Sequence, residues 1–115
     1  FPQGIDVQVF SFAALADVEK RIDDPAVREH VSLYFYENPD LYRIIHMIAP
    51  QSMKSPDLRF QLDYEEDLTF IREIYSIMED KHGPYFGVEA VLRLLETNPS
   101  LAEINAHCEE KPVRA

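Results

Sequence analysis

The feature that most constrains this chain is a change of hydrophobic period along it. Ile5, Val7 and Val9 alternate with Asp6 and Gln8, a period of two that fits a half-buried strand ending near Phe10. Beyond Ser11, whose hydroxyl suits a helix cap, Leu15, Val18 and Ile22 repeat at helical spacing. Asp23-Asp24-Pro25 restarts the chain, with Asp24 placed as a cap and Pro25 where a first helical residue needs no N–H. Val27, Val31, Tyr34 and Phe35 then share one face of a single predicted helix, which Asn38-Pro39 stops. Residues 41–48 are dense in Ile, Leu and Tyr and read as a second strand, and residues 50–56 as a polar loop. Leu58, Phe60 and Leu62 alternate again, predicting a third strand that ends on Asp63.

Helical spacing governs the rest. Asp63 and Glu66 have the separation of a capping box, and Leu68, Ile71, Ile74, Tyr75 and Met78 follow at helical intervals. Lys81-His82-Gly83-Pro84 is a break. Val88, Val91, Leu92 and Leu95 predict another helix, residues 99–105 a short one, and residues 109–115 a frayed tail. The order β-α-α-β-β-α-α-α favours an α/β layered sheet over a bundle or a sandwich. Three strands are few for so many amphipathic helices. The chain also opens on Phe1, almost on a strand, without an initiator Met or a signal-peptide pattern. The expectation is a piece of something longer, whose partner strands lie outside it.

Composition narrows the class. The chain holds 115 residues, 46% of them apolar, enough for one core and against disorder or a tandem-domain protein. Its 21 acidic against 11 basic residues leave a net charge of -10, which argues against non-specific binding to nucleic acid or to an anionic membrane. The apolar run at residues 44–49 is far short of a membrane span. A lone cysteine, Cys108, excludes an internal disulfide framework and a Cys-rich zinc site. What remains is a soluble, acidic protein of a reducing, cytoplasmic compartment.

Asp63 is the carboxylate of most interest. It stands where a strand would end and a helix begin, the place at which α/β sheets hold ligands. There it serves equally as a helix cap or as a ligand for magnesium carrying phosphate oxygens. Glu65, Glu66 and Asp67 are read as first-turn acids that complement the helix dipole. Arg28, Glu29 and His30 are consecutive and spread around the second helix. Arg28 is able to clamp a carboxylate or phosphate and His30 to bond a sugar hydroxyl, or all three are surface groups with His30 half-buried. Gly4 permits a close backbone approach beside Asp6. His46, His82, His107 and Cys108 have no metal-ligand spacing, His46 reads as a core or edge histidine, and no phosphate loop or nucleophile-elbow motif occurs.

These residues fall in a familiar order. Phe1-Pro2-Gln3-Gly4-Ile5-Asp6-Val7-Gln8-Val9-Phe10 with Ala14-Leu15 resembles a Pro-x-Gly-apolar-Asp-Val-x-Val-Phe segment of the SpsF-like cytidylyltransferase family, the spore-coat polysaccharide proteins related to the CMP-Kdo and CMP-sialic acid synthetases. Arg28-Glu29-His30-Val31 with Tyr34, then Leu58 through Leu68, then Pro99-Ser100-Leu101 with Ile104-Asn105-Ala106-His107 are similar to three later segments of that family. Tyr64-Glu65 stands where the family has Thr-Pro. The resemblance implies the C-terminal half of a nucleotide-diphosphosugar transferase fold, a Rossmann-like three-layer α/β/α mixed sheet, without its nucleotide-binding half. It implies transfer of CMP from CTP to an acidic sugar, with Mg2+ on Asp63 and Gly4, Asp6, Arg28, Glu29 and His30 lining the sugar side. Arg59 would orient Asp63 or contact a phosphate. A lone half would have no turnover, and homodimer formation is left open. The alternative is a non-enzymatic sugar-binding or assembly module.

Overall fold

A computed structural model describes residues 1–5, 7–30 and 32–112. Among these residues the regular elements are helices: α1 (Phe12–Arg21), α2 (Pro25–Glu29), α3 (Leu33–Glu37), a 3-10 turn at Gln51–Met53, α4 (Glu65–His82), α5 (Val88–Thr97) and α6 (Pro99–Ala102). The expected Rossmann-like α/β sheet is therefore corrected: the described residues contain no strand, and the protein is helical. The physical reason is partnership. A strand is stable when another backbone answers its N–H and C=O groups. Among the described residues the bridging is parallel and isolated, joining Gln3, just ahead of the first period-two segment, to Arg59 of the third. There Gln3 N–H donates to the Leu58 carbonyl at 2.9 Å and Phe60 N–H to the Gln3 carbonyl at 2.7 Å. Val7 and Val9 are 85% and 91% exposed, and residues 41–48 run irregularly with Ile45, Met47 and Ile48 in solvent. His46 is exposed with them, neither core nor edge of a sheet.

Two compact units make up the chain. The first joins residues 1–5 to Ala49–Lys111. Its core is built by Phe70, Ile74 and Met78 of α4 against Val91, Leu94 and Leu95 of α5, with Leu58, Phe60, Leu101 and Ile104 around them. The spacing of Phe70, Ile74 and Met78 puts them on one stripe of α4. Phe60 and Phe70 pack with centroids 5.3 Å apart, so the extended segment ahead of α4 is fastened to the same core. α6 packs on both α4 and α5. The 3-10 turn lies on α5, where Ser52 Oγ donates to Glu89 Oε1 at 2.7 Å. Gly83, at φ 73°, closes α4 by donating its N–H to the Glu79 carbonyl.

The second unit is Val7–Ile48. Both anticipated caps form: Ser11 Oγ accepts from Ala14 N–H at 3.1 Å, and Asp24 Oδ1 accepts from Ala26 N–H at 2.9 Å with Pro25 opening α2. The single helix expected to run to Asn38 is two, α2 and α3, separated at His30. Val31 and Asp6 lie outside the described residues. Val18, Val27 and Phe35 form the buried centre. Phe35 stacks against Phe10 at 5.4 Å and edge-on to Tyr42 at 4.8 Å. Tyr42 Oη donates to Asp17 Oδ2 at 2.9 Å, tying the residues after α3 to α1.

Gly4 is the tightest steric point of the first unit. Its φ is +89°, and a Cβ there would stand 2.6 Å from the Gln61 nitrogen and 2.7 Å from the Phe60 carbonyl carbon. Those are backbone atoms, which cannot swing aside. Gly4→Ala is expected to cost about 1–3 kcal/mol, and Phe70→Ala about 3–5 kcal/mol, both read as a lowered urea midpoint. A Gly4→Ala protein as stable as the wild type would show that this approach does not constrain the fold.

Candidate functional site

The segment leading into α4 is organised by an acid on a face that should be apolar. Asp67 lies one turn before Phe70, on the same buried stripe of α4, and is 0% exposed. A bare carboxylate there would be expelled at large cost. Instead Arg59, 5% exposed, meets it with two parallel bonds, Nε to Oδ1 at 2.9 Å and Nη2 to Oδ2 at 3.0 Å. Asn105 Nδ2 donates to Asp67 Oδ1 at 2.9 Å and to the Arg59 carbonyl at 3.1 Å. The backbone N–H groups of Asp63 and Tyr64 both donate to Asp67 Oδ2, at 2.9 and 3.1 Å.

This arrangement settles the start of α4 differently from the spacing. The cap residue is Tyr64 rather than Asp63, and the acid that reaches back to it is Asp67 rather than Glu66. Asp67 thus does three things at once: it neutralises Arg59, receives two backbone donors at a helix start, and holds Asn105. The Arg59 guanidinium is the main reason the Asp67 carboxyl titrates far below the ordinary carboxylate range, with the two backbone donors and Asn105 adding to it against the opposing effect of burial. The bond to Asp67 likewise pushes Arg59 above its ordinary value, with a smaller contribution from Asp63.

Asp63 stands at the edge of this cluster. Its Oδ2 accepts from Arg59 Nη2 at 2.8 Å, and its side chain is 37% exposed. Arg59 also donates to Gln61 Oε1, so its guanidinium is divided among Asp67, Asp63 and Gln61. The aromatic ring of Tyr64 lies 5.6 Å from the Arg59 guanidinium carbon and 4.9 Å from Lys111 Nζ. Lys111 Nζ donates to the Asp63 carbonyl at 3.2 Å, and Gln61 Nε2 donates to Glu110 Oε1 at 3.4 Å. The segment expected to fray from Glu109 therefore turns back onto the α4 start. Nearby, burial together with the negative charges of Asp67 and Glu66 pushes the Cys108 thiol up, which disfavours the thiolate.

The other sequence candidates fall into place as follows. Gly4 joins Arg59 and Asp63 in the first unit, packed against the Phe60–Gln61 backbone. Arg28, Glu29 and His30 belong to the second unit, and all three are exposed, so His30 is not half-buried. Arg28 is committed to Glu19, and His30 ends α2 by donating its N–H to the Ala26 carbonyl. Asp67 and Asn105 are central and were not foreseen as such. Asp67 carries a readable signal, its position three residues before Phe70 on the apolar stripe. Asn105 carries none, because its partners are 38 and 46 residues away.

A charge pair this deep is costly to break singly. Asp67→Ala is expected to lose about 3–5 kcal/mol, whereas Asp63→Asn, at the rim, loses less than about 1 kcal/mol. Because the folded-state Asp67 is depressed, its stabilisation is complete above the unfolded carboxylate value of about 3.9 and drains as pH falls below that point. Urea midpoints from pH 7 to pH 2 should show this acid-side loss in the wild type and a flatter profile in Asp67→Asn.

The chain matches two curated proteins at a distance. It is 29% identical over 113 residues to an uncharacterised protein of Methanocaldococcus jannaschii, covering 96% of this chain and 44% of that one. It is 29% identical over 102 residues to the spore coat polysaccharide biosynthesis protein SpsF of Bacillus subtilis, covering 88% of this chain and 42% of that one. The chain thus spans less than half the length of either relative. No family model matches it, and no solved structure does. No helix among the described residues is long and apolar enough to cross a membrane. The similarity supports a distant relationship to SpsF.

Proposed function

We propose that the chain contributes to a nucleotidyltransferase of surface polysaccharide biosynthesis, one that moves CMP from CTP to the hydroxyl of an acidic sugar. The distant likeness to SpsF supports the polysaccharide setting. The observation that carries the site is the division of labour between Asp63 and Asp67. Asp67 performs the helix-end task, so the carboxylate of Asp63 has no part in capping α4. It is held by Arg59 through one oxygen and is partly open to solvent.

In this reading the sugar oxygen attacks the α-phosphorus in line, the bond to the pyrophosphate oxygen breaks, and the hydroxyl proton leaves to solvent. Asp63 would supply one carboxylate to Mg2+, which neutralises charge on the phosphates when bound. The residues present fit that role in part. No group of three or more His, Cys, Asp or Glu residues able to hold a metal occurs among the described residues. Magnesium, however, commonly takes one or two carboxylates and completes its shell with water and substrate phosphates. Arg59 acts as a positioning residue, since its bond to Asp63 fixes the carboxylate without losing the buried partner Asp67. Gly4 and Asp6 of the first unit, and separately Arg28, Glu29 and His30 of the second, are each proposed as sugar contacts within their own unit.

The test is magnesium-dependent pyrophosphate release from CTP with a panel of sugar acids, on the full-length protein. Asp63→Asn should lower turnover by about a hundredfold or more, with the circular-dichroism spectrum and urea midpoint close to wild type. Full turnover in Asp63→Asn would remove Asp63 from the chemistry. A folded protein that shows no turnover with any sugar acid would favour the sugar-binding module instead.

A further inference from the structure

The second unit holds an arginine already engaged in carboxylate recognition. Arg28 presents its guanidinium to Glu19 with Nη1 at 3.1 and 3.0 Å from the two carboxylate oxygens and Nη2 at 3.1 Å from Oε1. Nη2 also donates to the Ile22 carbonyl at 3.3 Å and lies 3.7 Å from Asp23 Oδ1. The geometry is that of a fork receiving a planar carboxylate, which a lysine cannot reproduce. Yet the pair is not buried: the Arg28 side chain is 43% exposed and that of Glu19 63%. An ion pair that open contributes little to folding.

Beside it lies a cavity of about 330 Å³ between α1 and α2, walled by Phe12, Leu15, Val18, Ile22 and Val27, with Glu19 and Arg28 as its charged members. It is open to solvent on one side and stands at the small end of the range of small-molecule sites, where an apolar wall with one fixed charged group sets orientation. Phe12 is 83% exposed and offers an apolar surface at the pocket edge. The one cation of the cavity is covered by the one anion.

We infer that Glu19 is a built-in stand-in for a ligand carboxylate: it holds the Arg28 fork until the carboxylate of a small organic acid displaces it and the acid's carbon skeleton enters the neighbouring cavity. For the proposed transferase the acid is the sugar acid, and in that respect the inference rests on the reading above. Recognition is by the carboxylate, which a simple aliphatic or aromatic acid shares, so both kinds are tested. Glu19 is tethered, so it competes at a fixed local concentration and sets the threshold at which the acid is taken up. The exchange needs no other rearrangement, because both partners already face solvent.

Calorimetric titration with a sialic acid, Kdo and a simple carboxylic acid such as benzoate, on the wild type, Glu19→Gln and Arg28→Lys, tests this. Glu19→Gln should bind at least one acid up to about fivefold more tightly, the worth of an exposed pair. Arg28→Lys should bind the same acid about tenfold more weakly. Thermal unfolding of each variant separates a folding defect from a binding one. Binding that neither substitution changes, a melting temperature that falls in Glu19→Gln without gain in affinity, or no binding of any acid by wild type or Glu19→Gln would overturn the inference. Pyrophosphate release from CTP by the full-length protein is followed in parallel. Turnover with unchanged acid affinities discards the stand-in and keeps the transferase. Tighter acid binding by Glu19→Gln without turnover keeps the stand-in and discards the transferase.

Discussion

The bond between Arg59 and Asp67 is the interaction on which the first unit depends. Asp67 occupies a position of α4 that the apolar stripe would otherwise fill, and Arg59 sits in an extended segment with almost no regular pairing. Neither would be stable inside the unit alone. Together they join the approach segment to the helix, and through Asn105 they draw in the chain beyond α6. One ion pair thereby fixes three stretches of sequence that share little backbone hydrogen bonding. The apolar core of Phe70, Ile74 and Met78 supplies cohesion, while the ion pair supplies register.

That register has a functional side. The guanidinium has a planar fork, and its two bonds to Asp67 determine which way its remaining donors point. One is directed at Asp63, which is left at the rim with its carboxylate partly in water. The rim is thus as well defined as the interior beneath it, which is what an acid needs if it is to offer a ligand a fixed oxygen. Arg28 in the second unit shows the opposite economy: the same kind of fork, exposed, with an acid more open to water than the arginine itself.

How much of this could be read beforehand follows from how local each determinant is. Ser11 and Asp24 cap as their types and positions foretell, because a cap involves atoms within three residues. The cores of α4 and α5 follow the apolar spacing. The sheet failed for the converse reason: Val7, Val9 and Leu62 carry a strand's alternation, but alternation says only that a segment could pair, and here little backbone stands opposite. At the start of α4 the reading slipped by one residue, because two residue pairs with capping-box spacing overlap, Asp63 with Glu66 and Tyr64 with Asp67, and the tertiary partner Arg59 decides between them. Whether Gly4, Arg28, Glu29 and His30 meet a sugar is a matter of chemistry that their types alone do not fix.

The buried charge pair also shapes which descendants this sequence can have. A hydrophobic pair at positions 59 and 67 could fill the same volume, but every route to it by single substitutions passes through a protein in which one buried charge has lost its main partner. Asn105 and the two backbone donors deepen that valley, since they are arranged for a carboxylate and would be stranded by its loss. The pair is therefore easier to inherit than to replace. Among distant relatives, a polar residue at the equivalent of position 67 would be expected to travel with one at the equivalent of position 59, whatever reaction each of them performs.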